Sequence, residues 1–505
     1  MLTKILSCAV LGIDGRAINI EADVSKGHPV FIVVGLADKA VDESRQRIPA
    51  AIKNSGFEYP YSKKIIVNLA PAYLKKEGAA FDLPIAIGIL ISSGQLDANL
   101  DGSIFIGELA LDGSLRQTRG ILPITIWAKE NNYKRIFVPK GNAKEAAIVE
   151  GVDVIPIESL KEIFFHLNNQ NIVQPFKIKE EDTEEDIIRE VDMKYISGQE
   201  HAKRALEVAA AGAHNVSLSG PPGSGKTLLS RTMVSILPKM SLEEQLEVTK
   251  IYSISGFLSH KTPLVISRPF RSPHHTSSGV ALVGGGTFPK PGEISLAHRG
   301  VLFLDEFAEF PRYVLENLRQ PLEDGVVTVS RAQGSFTFPA RFILVASQNP
   351  CPCGYMGDPD RECVCTQSQI IKYKNKISGP IIDRIDLHVE VPRLDFEKLT
   401  QETKTESSQS IRERVNNARE KQKNRLKEFG LLTNNEMPAQ VVKKICVLDI
   451  ETQQLIRQAV NSLHLSARSF HRILKVARTI ADLEDSNDIL SKHVAEALQY
   501  RPKTD

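Results

Sequence analysis

The chain has 505 residues, 63 lysines and arginines against 61 acids, a net charge of +2, and 42% hydrophobic residues. That composition excludes a wholly disordered, collagen-like or disulfide-scaffold protein. A near-neutral balance gives no sign of a global nucleic-acid binder, although local patches decide that question.

At about 150 residues per domain the length suggests roughly three domains. The longest apolar stretch, Leu83 to Ile91, is too short to span a bilayer, which needs about 20 residues. The opening residues lack a signal-type core, so a cytoplasmic protein with no membrane partner is expected. Six cysteines occur, and four of them lie between Cys351 and Cys365. In a reducing compartment such a cluster reads as metal ligands before disulfides.

Residues 1–172 alternate strand-like and helix-like stretches, a mixed α/β pattern. A hairpin turning at Asp14-Gly15 opens it, followed by a β-rich run from Pro29 to Val34. Asp38 is a candidate cap for a helix ending near Gly56. Lys64 to Leu69 reads as a strand, Asp82 to Ser92 as a buried helix, and Ile104 to Ile106 and Arg135 to Val138 as strands. Residues 173–190 contain the acidic run KIKEEDTEEDIIRE and read as a linker or an exposed acidic helix. A second α/β pattern fills 191–392, and 393–505 reads as helical.

The run Gly220, Pro221, Pro222, Gly223, Ser224, Gly225, Lys226, Thr227 matches GxxxxGK[ST] between an apolar strand and a helix. Its backbone N–H groups can surround phosphates. Lys226 adds a point charge, and the Thr227 hydroxyl can ligate Mg²⁺. The apolar run from Val301 ends in Asp305, which can hold the same Mg²⁺, and Glu306, which can orient or deprotonate an attacking water. A third buried strand, from Arg341, ends at Asn349, placed to hold that water or to sense the γ-phosphate. ATP and Mg²⁺ are the implied cofactors.

These motifs resemble the AAA+ superfamily, in the branch of the magnesium-chelatase ATPase subunits and MCM helicases. Residues Ser378 to Asp386 resemble its arginine-finger segment, which implies that Arg384 reaches a neighbouring subunit's γ-phosphate. Ser466 to Arg468 resembles sensor 2, which implies that Arg468 contacts the bound nucleotide. Read on their own, Arg384 is a salt-bridge partner for Asp383 or Asp386, and Arg468 a helix-surface arginine. Residues Val326 to Phe338 read as a hairpin, and by resemblance Arg331 stands where the MCM-like hairpin meets DNA in the ring channel. Arg268 to Gly286, with His274 and His275, resembles the helix-2 insert region. The two histidines read as phosphate contacts or as packed polar residues, not metal ligands.

Lys76 to Asp82 and Gly107 to Gly113 resemble the Lon protease domain, an S5-like α/β fold. Ala80 stands where its serine would be and Leu122 where its lysine would be, so no peptidase activity is expected. This order of domains is similar to the YifB/ComM family: Lon-like domain, AAA+ core, C-terminal helical lid. The resemblance implies a homo-hexameric, ATP-driven helicase acting on single-stranded and branched DNA in branch migration, during recombination or natural transformation. A chelatase-like or protein-remodelling ATPase that does not act on DNA is the alternative; no D-x-S-x-S integrin-type motif is found for the former.

Cys351, Cys353, Cys363 and Cys365 form C-x-C-x₉-C-x-C within an insertion at 351–365. Four thiolates can complete a tetrahedral Zn²⁺ site, although zinc ribbons and knuckles space each pair more widely. Free thiols or a disulfide are the alternatives. A basic run from Arg412 to Lys427 reads as a solvated helix face, with phosphate contact as the other option.

Overall fold

The computed structural model describes residues 2–35, 39–74, 76, 78–178, 191–259, 262–286, 289–331, 334–393, 405–462 and 465–502. Asp38, most of the acidic run and the hairpin tip at 332–333 lie outside them. The chain divides into two compact units. The first comprises Met1–Glu185, Leu242–Val265 and Thr287–Lys290; the second comprises Asp186–Ser241, Ile266–Gly286 and Pro291–Asp505. The AAA+ core and the C-terminal helices therefore belong to one unit. A segment from within the ATPase sequence groups with the N-terminal residues.

In the first unit, Leu2–Leu11 and Asp14–Ser25 pair antiparallel, with Leu11 opposite Asp14. The turn is thus Gly12-Ile13, two residues before the expected Asp14-Gly15, and Gly12 takes the left-handed φ of 66° that the turn needs. Lys64–Ala70 pairs with the second strand, and Val30–Val34 closes the four-stranded sheet in parallel. The helix Asp82–Ser92 lies on this sheet. Its Gly88 permits the approach: a Cβ there would stand 2.9 Å from the Ala22 Cβ. Nearly every helix side chain is buried, as its unbroken apolar run requires.

Ser103–Phe105, Arg135–Pro139 and Asp153–Ile157 make a second, parallel sheet. The helix Leu242–Ser255 packs against the helix Ile121–Glu130. Buried Glu145 ties the two together: it accepts from Leu122 N–H at 2.9 Å and from the Ser253 hydroxyl at 2.5 Å. Asn142 donates to its other oxygen at 3.1 Å. Burial pushes the Glu145 carboxyl above the usual range, and these donors pull the other way.

The second unit is built on a parallel sheet in the order Phe270–Arg271, Val301–Leu304, Ile343–Gln348, Val216–Ser219, Leu387–Glu390. The inner strands are buried along their length, which explains their continuous apolar runs. Ser408–Leu426 is a helix capped by Ser407, and Ala467–Leu483 is a helix capped by Ser466. Ile473, Leu474, Ala477 and Ile480 are all buried, on one face of the latter, in the same core as the sheet.

The basic helix face is largely tied into its own unit. Arg414 bonds Glu207, Arg419 donates to the Ala210 carbonyl, and Arg425 pairs with Asp482. Among the described residues no helix is long and apolar enough to cross a membrane.

Candidate nucleotide site

The inner strand Val216–Ser219 pairs with Ile343–Gln348 on one side and Leu387–Glu390 on the other. Its carboxyl end is therefore the point where successive strands lie to either side, the crevice where open parallel sheets bind ligands. The GxxxxGK[ST] loop leaves from there. Gly220 donates its N–H to the Gln348 carbonyl at 3.2 Å. A Cβ on Gly220 would stand 2.1 Å from the Val391 carbonyl oxygen, so only glycine passes beneath the last strand. Gly223 and Gly225 take φ of 78° and 90°, bending the chain so that the helix Lys226–Ile236 starts at the loop.

Lys226 is buried and folded onto the loop: its Nζ donates to the carbonyls of Gly220 at 2.7 Å and Pro221 at 2.8 Å. It also reaches Asn349 Oδ1 at 3.4 Å. Burial lowers the Lys226 ammonium below its ordinary range, and Asp305 partly offsets this. Thr227 Oγ1 donates to Asp305 Oδ2 at 3.1 Å. The two proposed Mg²⁺ ligands are thus already neighbours, and a hard cation with oxygen ligands fits between them chemically. Glu306 has a left-handed φ of 52°, unusual for a side-chain-bearing residue, and its N–H donates to Asp305 Oδ1. Its carboxylate has His275 as a neighbour, Nδ1 to Oε2 at 3.0 Å.

The structure brings Lys226, Thr227, Asp305, Glu306 and Asn349 together at the carboxyl ends of three adjacent inner strands, as their spacing implied. The two arginines share Glu323. Arg384 pairs with Glu323, and neither Asp383 nor Asp386 is its partner among the described contacts. Asp386 is taken by Arg472, at 2.5 Å. Arg468, expected on bound nucleotide, lies 3.1 Å from the other oxygen of Glu323. The Arg384 guanidinium holds the Glu323 carboxyl below the usual range.

Arg331 is exposed on the hairpin Val326–Arg331/Gly334–Pro339. It reaches toward Gly285, where a Cβ would stand 3.0 Å from its Nη2. The hairpin and the glycine-rich end of the insert region thus meet. The rings of His274 and His275 are in contact, tilted by 33° with centroids 4.1 Å apart. Glu323 and the contact between His275 and Glu306 were not foreseen. Their partners are tens of residues away, and no spacing rule links them.

The four cysteines converge. Their sulfurs all lie within 4.8 Å of one another, and all are free thiols.

The sequence matches the family described as magnesium chelatase, subunit ChlI, over residues 192–399. It matches that subunit's C-terminal family over 405–501 and a further ChlI family over 20–142. It is 44% identical to competence protein ComM of Haemophilus influenzae, over 99% of this chain and 97% of that protein. It is 42% identical to the uncharacterized protein YifB of Escherichia coli, over 98% of this chain and 96% of that protein. The chain belongs to the YifB/ComM family. An archaeal Lon protease of Methanocaldococcus jannaschii is 27% identical over 32% of this chain and 24% of its own length. The YifB/ComM chain is therefore a mixed α/β protein with a magnesium-chelatase-type AAA+ core, a Lon-like relative and a C-terminal helical region. The core carries the parts of an ATPase site.

Proposed function

We propose that this protein is an ATP-driven, homo-hexameric DNA motor that moves or unwinds single-stranded and branched DNA. Branch migration in recombination or natural transformation is the process it serves. The observation that carries the reading is full-length similarity to competence protein ComM, combined with the clustering of Lys226, Thr227, Asp305, Glu306 and Asn349.

In this reading the loop amides from Gly220 to Thr227 bind the triphosphate, and Lys226 leaves its loop carbonyls for the β- and γ-phosphate oxygens. Thr227 and Asp305 hold Mg²⁺, which supplies charge neutralisation at the phosphates. Glu306 orients and deprotonates the attacking water, with Asn349 beside it. Arg384 leaves Glu323 to reach the neighbouring subunit's γ-phosphate, and Arg468 adds charge at the nucleotide. Arg331 contacts DNA phosphate in the ring channel. The four-cysteine loop holds a structural Zn²⁺. The Lon-like domain has no peptidase role, since Ala80 and Leu122 offer neither nucleophile nor base. The site of action is the cytoplasm.

A chelatase-like or protein-remodelling ATPase is the second reading, favoured by the three matches to chelatase-subunit families. One experiment separates them: steady-state ATP hydrolysis alone, then with single-stranded DNA, duplex and a four-way junction, beside a Glu306→Gln control. Stimulation by DNA that disappears in the control supports the motor. Hydrolysis indifferent to every DNA supports the second reading.

A further inference from the structure

The phosphate loop has an unexpected neighbour. A Cβ built on Gly354 would stand 2.7 Å from Pro222 Cδ and 2.9 Å from its Cγ. Pro222 lies in the middle of the GxxxxGK[ST] loop, and Gly354 lies between the two cysteine pairs. Backbone of the cysteine loop therefore rests directly against the segment proposed to wrap the triphosphate. The same hypothetical Cβ is 3.7 Å from Asn349 Cγ, the side chain that reaches Lys226.

Apart from this contact and an exposed ion pair between Asp360 and Arg393 at 3.9 Å, the cysteine loop is held, among the described residues, by contacts within itself. Between Pro350 and Thr366 it forms turns and bends, with no strand or helix. Gly354 and Gly357 take φ of 85° and 80°. Asp358 caps the N–H groups of Asp360 and Arg361 at 2.9 and 3.1 Å, and the Arg361 guanidinium bonds the Tyr355 hydroxyl. Most of its side chains are exposed or half-buried, so apolar burial contributes little. The exception is Cys351, fully buried two residues after Asn349.

The sulfur geometry fits one tetrahedral ion. Cys351 and Cys353 sulfurs are 3.3 Å apart, and each is 3.6 Å from that of Cys363. Four thiolates around Zn²⁺ at about 2.3 Å would stand about 3.8 Å from one another. Binding would release the four thiol protons and change no oxidation state.

We infer that zinc held by Cys351, Cys353, Cys363 and Cys365 braces the phosphate loop through the Gly354–Pro222 contact, so that metal occupancy sets nucleotide affinity. This rests on the zinc and ATP assignments above. With the ion bound, Gly354 is a fixed wall behind Pro222, and the loop amides keep their inward aim. Without it, the cysteine loop gains conformational freedom, the wall withdraws, and ordering the loop around a triphosphate costs more.

The test uses the full chain. Metal analysis gives the zinc content, with about one per chain expected. A thiol-reactive mercurial then strips the ion while a metallochromic dye reads its release, and binding of a fluorescent ATP analogue is followed in parallel. Analogue affinity should fall by about tenfold or more as zinc leaves, and return when thiol reductant and Zn²⁺ are restored. No zinc and no dye signal, with analogue binding intact, would remove the zinc assignment itself. Full zinc release at unchanged affinity would leave that assignment standing and overturn the bracing.

Gly354→Ala separates the effect from unfolding, because all four ligands remain. Zinc content should hold while analogue affinity drops several-fold, since the added methyl cannot coexist with Pro222 where it stands. Unchanged affinity in this variant overturns the inference.

Discussion

The Arg384 guanidinium is held by the Glu323 carboxylate. Arg468 reaches the same carboxylate at 3.1 Å, so one acid holds both arginines that resemble nucleotide-contacting groups. In the proposed motor, each arginine exchanges this acid for phosphate oxygen. Arg384→Ala should lower ATP turnover by about 10³-fold while leaving analogue binding within a few-fold. Lys226→Ala should be equally inactive. Mixing the two variants should recover turnover, because mixed rings would contain some interfaces with both groups intact. A mixture as inactive as its parts would rule out action across subunits.

His275 Nδ1 lies 3.0 Å from Glu306 Oε2, and Glu306 has to face the phosphate tail to serve as base. Removing the imidazole should free the carboxylate before DNA binds. His275→Ala is expected to raise basal hydrolysis by about two- to fivefold and to shrink stimulation by DNA correspondingly. Unchanged rates with and without DNA would mean the contact has no part in turnover.

The 2.5 Å bond from the Ser253 hydroxyl to Glu145 is buried within the first unit. Ser253→Ala removes one hydroxyl donor from a largely buried carboxylate. A loss of about 1–3 kcal/mol in that unit's stability is expected, read by denaturant titration. Glu145→Gln, which keeps acceptor capacity on one atom, should cost less than Glu145→Ala. A Ser253→Ala variant as stable as the parent would show that water replaces the hydroxyl.

His388 lies on the strand Leu387–Glu390, two residues after Asp386, and its Nε2 has no hydrogen-bond partner among the described residues. Burial, reinforced by the Arg501 charge, lowers its pKa from 6.5 to about 4, with Asp386 opposing. The unfolded chain therefore takes up this proton first. Stability from the neutral ring is complete above pH 6.5 and is lost as pH falls toward 4. His388→Gln should flatten the acid limb of a stability–pH profile by about 1–2 kcal/mol over that window. An identical slope in the variant would remove His388 from the acid response.

Much of the fold was legible because its signals are local. The loop glycines and the strand from Val301 each combine residue type with spacing, and each lies where the pattern put it. The opening turn was misplaced by two residues because Asp-Gly is a strong turn dipeptide. Here Gly12 supplies the positive φ, and the hairpin register places Asp14 and Gly15 on the strand. The charge partners were illegible for a different reason. Glu323 is 61 positions from Arg384, while Asp383 and Asp386 are immediate neighbours, and sequence proximity favours the wrong acids. Only the packed second unit turns the guanidinium away from them. The grouping of Leu242–Val265 with the N-terminal unit was equally hidden. Nothing in its composition names Glu145 and the Ile121–Glu130 helix as its neighbours.

That grouping bears on how the protein can be taken apart. Following the chain, the boundaries fall near 186, 242, 266, 287 and 291, so the polypeptide changes units at each. No single cut yields either unit whole. A fragment ending in the acidic run would lack the helix Leu242–Ser255, leave Glu145 without its serine and uncover the apolar flank of Ile121–Glu130. The complementary fragment would carry Val248 and Ile251 with nothing to bury them. The two halves are threaded like a stitched seam, and they should be inherited, expressed and degraded as one piece.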